Sequence, residues 1–148
     1  IKEVTSTKVA GQEQIQDLIL TPFIIKNEIV INPIFFDFDK SKIRDDAAYE
    51  LENIVTIMDN HPKMIIKIEA HTDSRGRDAY NEKLSDRRAK STRDYIISRG
   101  IAAERIESAI GYGEKQLLNE CSNGVKCSEA KHQENRRSKF IIINNYKE

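Results

Sequence analysis

Apolar and polar residues alternate along MIIKIEA, with Met64, Ile66, Ile68 and Ala70 on one side and Ile65, Lys67 and Glu69 on the other. A period of two predicts a strand with one buried face. Between Asp45 and Asn60 the spacing changes: Ala47, Leu51, Ile54, Val55 and Met58 recur at i, i+3 and i+4, which predicts a helix that His61-Pro62 stops. A second helix is predicted from Asp78, an N-cap type of residue, to Gly100, which suits the C′ position. Apolar runs at Ile34–Phe38, about Arg105–Gly111 and Lys139–Asn144 predict three further strands. The order is strand, helix, strand, helix, strand, long loop, strand. Alternating connections favour parallel pairing of the early strands through right-handed crossovers, and the ending turns back. The expectation is an α+β domain of βαβαββ type, a mixed sheet with helices packed on one face. That domain takes residues 31–148. Residues 1–30 read as a linker or N-terminal extension from a longer protein, packed on the domain. Within it Gln12–Leu20 suits a short helix or an extended segment, and Ile24, Ile25, Ile29 and Val30 suggest some β structure.

At 148 residues the chain is long enough for one domain with a real core. Its 24 basic and 24 acidic residues balance, so charge gives no case for nucleic acid as a partner. No apolar run approaches the ~20 residues of a membrane span, and no basic-then-apolar signal opens the chain. It begins at Ile1 without methionine and is read as a fragment or processed product.

The candidate chemistry lies between the second strand and the second helix. Thr72 and Asp73 sit just past the strand's carboxyl end, the edge at which ligands bind in sheets with helical crossovers. At about 100° per residue, Asn81, Leu84, Ser85, Arg88, Ala89, Thr92 and Ile96 share one side of the helix, while Asp86, Arg87, Lys90, Arg93 and Asp94 take the other. Arg87 therefore belongs to a solvated face. Arg88 falls in the stripe that packs on the sheet, where an uncompensated cation costs several kcal/mol, so it needs an anionic partner or a polar cleft. Asp73 with Arg88 is a clamp suited to a ligand carrying both charges. An internal Asp73–Arg88 ion pair with no ligand is the rival reading.

Asn81-x-x-Leu84-Ser85-x-x-Arg88-Ala89, preceded by His71-Thr72-Asp73 and Gly76, closely resembles the C-terminal domain of outer membrane protein A and of peptidoglycan-associated lipoprotein. The resemblance spans about residues 30–145. Phe36-Asp37-Phe38-Asp39-Lys40-Ser41 is similar to the family's opening strand and loop, Gly111-Tyr112-Gly113-Glu114 to its third-strand turn, and Asn135-Arg136-Arg137 to its closing motif. It implies an OmpA-like fold that binds peptidoglycan non-covalently, with the residues at Asp73 and Arg88 holding the ammonium and carboxylate of diaminopimelate. It also implies that Phe38 and Asp39 lie beside the ligand, with Thr72, Asn81 and Leu84 completing the site. The chemistry agrees: a zwitterionic end needs an anion for its ammonium and a fork-shaped cation for its carboxylate. The resemblance implies a periplasmic domain of an outer-membrane-associated protein in a Gram-negative bacterium. Family members are often tethered to the outer membrane by a preceding barrel or an N-terminal lipid, neither of which is read in this sequence. A protein-interaction module of the same fold, without peptidoglycan binding, is the alternative.

Cys121 and Cys127, spaced C-x5-C, lie in the polar loop before the closing motif. In the oxidising space where the family works, a disulfide is the natural reading, expected to support stability more than binding because the clamp lies on another strand and helix. A metal site with His132 is the rival, although two thiols and one histidine leave the usual four-ligand set incomplete. No cofactor or metal is expected, and no enzyme activity: Ser74 sits in H-T-D-S-R-G rather than G-x-S-x-G. His71 reads as a structural hydrogen-bonder at the strand end, and Arg75-Gly76-Arg77-Asp78 as a solvated turn.

Overall fold

The structure, a computed structural model, describes residues 23–147. The segment Gln12–Leu20 lies outside the described residues. Five strands form one mixed sheet in the order β1-β2-β5-β3-β4. β1 (Phe23–Ile25) and β2 (Glu28–Val30) make a hairpin over Lys26-Asn27, with Lys26 in the left-handed region at φ 56°. β2 pairs antiparallel with β5 (Arg137–Ile142), and β5 pairs antiparallel with β3 (Ile66–His71). β3 runs parallel to β4 (Ile106–Gly113).

Helix α1 (Asp45–Asn60) precedes β3, and α2 (Asp78–Ser98) carries the chain from β3 to β4. The stripe read from the sequence is the one that α1 buries: Leu51, Ile54, Val55 and Met58 join Ile66 and Ile68 of β3, Ile106 and Ala109 of β4, Phe140 and Ile142 of β5, and Ala89 and Ile96 of α2. Each large apolar side chain so buried contributes about 1.5–3 kcal/mol relative to exposure. Gly100, at φ 105°, stands just past the C-cap Arg99, where only glycine adopts such a backbone at little cost. Asp78 is the first residue of α2 and Arg77 its N-cap, one residue from the expectation.

The expected first strand, Ile34–Phe38, does not form. Those residues are irregular and end in a turn in which the Lys40 N–H donates to the Asp37 carbonyl, 3.0 Å, with Asp39 at φ 61°. Both places beside β3 are taken, by β4 and β5, and the outer side of β5 is filled by β2, since Glu28 and Ile29 pair with Ile141 and Phe140. The hairpin, read from sequence as part of the extension, is thus hydrogen-bonded into the sheet, and Ile29 is buried in the core. The loop before the closing motif also holds a helix that the sequence reading missed, α3 (Glu129–Asn135). Ser128 is its N-cap and accepts the Lys131 N–H at 3.2 Å. That cap was the available signal.

The position of α2 on the sheet is set by Gly111 of β4. A Cβ there would lie 2.0 Å from the Asp86 backbone nitrogen and 2.4 Å from Ser85 Oγ. Polar bonds tie the same contact: the Gly111 N–H donates to Asp86 Oδ1, 3.1 Å, and the Gly113 N–H to Ser85 Oγ, 2.9 Å. Strand and helix therefore meet backbone to backbone.

Candidate functional site

A cleft of about 700 Å³ opens beyond the carboxyl end of β3, and Phe38, Asp39, Thr72, Asp73, Asn81, Leu84 and Arg88 all line it. The topology that gathers them differs from the expected one. Phe38 and Asp39 arrive on the irregular 34–40 segment rather than at the end of a parallel strand beside β3. Thr72 continues the sheet by donating its N–H to the Gly113 carbonyl, 2.9 Å, which leaves Asp73 at the edge. Because β5 runs antiparallel to β3, its first residue Arg137 stands beside His71, and Arg136 reaches the same edge.

Asp73 is buried, and its carboxylate accepts three hydrogen bonds. Oδ1 accepts the Arg75 N–H at 2.9 Å, while Oδ2 accepts Arg75 Nη2 at 2.9 Å and Arg136 Nη1 at 2.5 Å. Burial alone would raise its pKa, but the hydrogen bonds from Arg75 and Arg136 outweigh that and hold the carboxyl below the ordinary range. Arg75, read as part of a solvated turn, is therefore part of the site, and so is Arg136. Asn81 Nδ2 binds the Arg75 carbonyl at 2.9 Å and Glu114 Oε1 at 3.2 Å, which ties the 73–75 loop to α2 and to the end of β4.

Arg88 does not pair with Asp73. Its Nε donates to the Lys40 carbonyl at 2.9 Å and Nη2 to the Asp37 carbonyl at 3.2 Å, and the guanidinium lies 4.9 Å from the Phe36 ring centroid. The backbone groups of the 37–40 turn thus find in Arg88 the partner a neighbouring strand would have supplied. Burial, then Arg87, pulls its pKa below the ordinary guanidinium value, with Asp39 opposing. Among the described residues its Nη1 has no hydrogen-bond partner, so part of the fork remains open to a carboxylate. The cleft therefore presents an ionised anion and a cation anchored by separate neighbours.

The model of the OmpA family matches residues 35–131. The chain belongs to the OmpA family. It is 43% identical over 82 residues to outer membrane porin F of Pseudomonas aeruginosa, covering 55% of this chain and 23% of that protein. It is 37% identical over 109 residues to the peptidoglycan-associated lipoprotein of Rhizobium meliloti, covering 74% of this chain and 58% of that protein. It thus spans under two thirds of either relative. The crystal structure of the peptidoglycan-associated lipoprotein from Burkholderia pseudomallei superposes with a TM-score of 0.63 at 25% identity, over 80% of this chain and 91% of that one.

Two further polar features of this OmpA-family domain lie beside the site. Ser74 is buried and donates its hydroxyl to the Cys121 carbonyl at 2.5 Å. Cys121 and Cys127 form a disulfide with a Cα separation of 6.0 Å, which leaves no thiolate for a metal. Asp73 and Arg88 lie on another strand end and helix, and the Cys121 carbonyl accepts from Ser74, the residue after Asp73, so the loop also touches the site. Closing so short a loop stabilises by about 2–3 kcal/mol in the chain-entropy model. Reduction should therefore lower the melting temperature and also loosen ligand binding at room temperature. Calorimetric titration with and without a reductant checks this, and unchanged affinity in the reduced protein would show that the loop does not support the site.

His71 stacks on Tyr112, ring centroids 5.5 Å apart, and its Nε2 lies 3.4 Å from Glu69 Oε1. Burial, then the nearby Arg137, pushes its pKa down to about 4, with Glu69 opposing. The folded state thus holds His71 neutral, so its contribution is intact above the unfolded value near 6.5 and is lost as pH falls toward 4. Between pH 7.5 and 5 the domain should lose about 2 kcal/mol from this group. Urea unfolding measures it: His71→Gln should flatten that stretch of the profile, leaving the separate loss at lower pH as Asp73 protonates.

Proposed function

We propose that this domain binds peptidoglycan non-covalently through the diaminopimelate, or an equivalent diamino acid, of the stem peptide. In this reading it works in the periplasm of a Gram-negative bacterium and anchors the outer membrane to the cell wall, through a barrel or lipid carried by the longer protein. The supporting observation is that Asp73 and Arg88 line one cleft, both charged, without neutralising each other. A zwitterionic side-chain end fits that arrangement: its ammonium goes to Asp73 and its carboxylate to the open Nη1 of Arg88. Leu84 and Phe38 offer apolar surface to the ligand's methylenes, and Thr72, Asn81 and Asp39 border it. Family membership and the peptidoglycan-associated lipoproteins among its relatives support the same reading.

Co-sedimentation with purified sacculi, followed by titration with a diaminopimelate-containing muropeptide, tests this. Retention on the sacculus and saturable muropeptide binding are expected. Failure of both would leave the alternative, an OmpA-like protein-interaction module.

A further inference from the structure

Asp73, Arg75, Glu129 and Arg136 form a closed ring of alternating charge, and all four line the cleft. Arg75 donates to Asp73 Oδ2 at 2.9 Å and to Glu129 Oε1 at 3.0 Å. Arg136 donates to Asp73 Oδ2 and Glu129 Oε2, each at 2.5 Å, and to Gln133 Oε1 at 2.6 Å. Side-chain exposure is 9% for Asp73 but 67% for Glu129 and 53% for Arg75. Ion pairs that open to solvent contribute little to stability, so holding the fold together is a weak account of the ring. Its effect on the cleft is larger. With Glu129 the four groups sum to zero; without it they carry one net positive charge beside the carboxylate on which a cation would dock.

We infer that Glu129 is a positioning residue that sets the preference of this cleft for ligands bearing an ammonium group. This rests on the peptidoglycan reading above. An incoming ammonium must share or displace a guanidinium on Asp73 Oδ2. Arg75 is the exposed one of the two, and Glu129 already holds its Nη1, so the displaced guanidinium keeps a carboxylate partner. Removing Glu129 leaves both arginines with Asp73 as their shared anion. They then compete with the ligand for it, and the surplus charge repels the ammonium.

The probes are a disaccharide-tripeptide muropeptide with free diaminopimelate amine and the same compound N-acetylated at that amine. The wild-type domain should prefer the free amine by about tenfold or more. Glu129→Gln keeps size and an acceptor and should narrow that preference to about two- to threefold, by weakening the free-amine probe while leaving the acetylated one nearly unchanged. The double variant Arg75→Gln/Glu129→Gln restores a zero sum and should recover much of the preference. A purely structural role would instead make the double variant worse for both probes. Glu107→Gln, an exposed charge change on β4, should leave the preference unaltered. Equal weakening of both probes by Glu129→Gln, or a wild-type preference in that variant, overturns the assignment while leaving peptidoglycan binding intact. A wild-type domain that binds neither probe overturns both.

Discussion

Arg88→Ala should abolish retention on purified sacculi, while its neighbour Arg87→Ala sediments with them like the wild-type domain. Arg88 is held between the Phe36 ring and the carbonyls of Asp37 and Lys40, and among the described residues its Nη1 has no hydrogen-bond partner. Truncating one half of a desolvated charge pair leaves the other half unpaired, a loss of about 2–5 kcal/mol. Arg87 is exposed on the opposite face of α2. Asp73→Asn should lose binding to a similar degree. It is a better probe than alanine, which would strip the arginines of their shared buried partner. Sedimentation of Arg88→Ala at the wild-type level would sink the clamp assignment.

Gly111→Ala should be the most destabilising single methyl addition in the domain. The added carbon would meet the Asp86 nitrogen at 2.0 Å and the Ser85 carbonyl carbon at 2.2 Å. Those are backbone atoms, so no rotamer change relieves the clash, and α2 must move off β4. Overpacking of this kind costs about 3 kcal/mol or more. Because α2 carries Asn81, Leu84 and Arg88, binding should fall with stability. Gly100→Ala is the comparison: no atom lies within 4 Å of a Cβ there, so only the left-handed backbone is charged, about 1 kcal/mol. Urea midpoints decide it, and a Gly111→Ala midpoint at or above that of Gly100→Ala would show that the helix yields easily.

The helices were legible because their apolar period is local. The range Asp45–Asn60 was read as it stands, and Gly100 marked the end of α2. Strands were placed within about two residues, since an alternating run does not say where pairing stops. The segment Ile34–Phe38 misled because a short apolar run carries no information about which strand already occupies a sheet position. Here the β1–β2 hairpin does. In the site, Asp73 stood out because it follows the end of a patterned strand, and Arg88 because it is a charge set in a helix's apolar stripe. Arg75 and Arg136 did not, since arginines in polar stretches look solvated. Their roles depend on the antiparallel return of β5 and on α3, and both are set by contacts distant in sequence.

The hairpin at the sheet's edge bears on how the domain would respond to force. β1 and β2 are three residues each, and β2 holds to β5 through the pairs Glu28–Ile141 and Ile29–Phe140. Two-stranded ribbons are marginal by themselves. Tension arriving through residues that precede Phe23 meets this ribbon first and can strip it from the edge inward, letting out a length of extended chain. Most of the cleft stands on β3, β4, β5 and α2, but the 34–40 segment that follows β2 also lines it and holds Arg88 through the Asp37 and Lys40 carbonyls. A tether pulled from that end would thus yield in two stages: the ribbon pays out slack first, and the grip on the ligand holds until the load reaches the 37–40 turn that anchors Arg88.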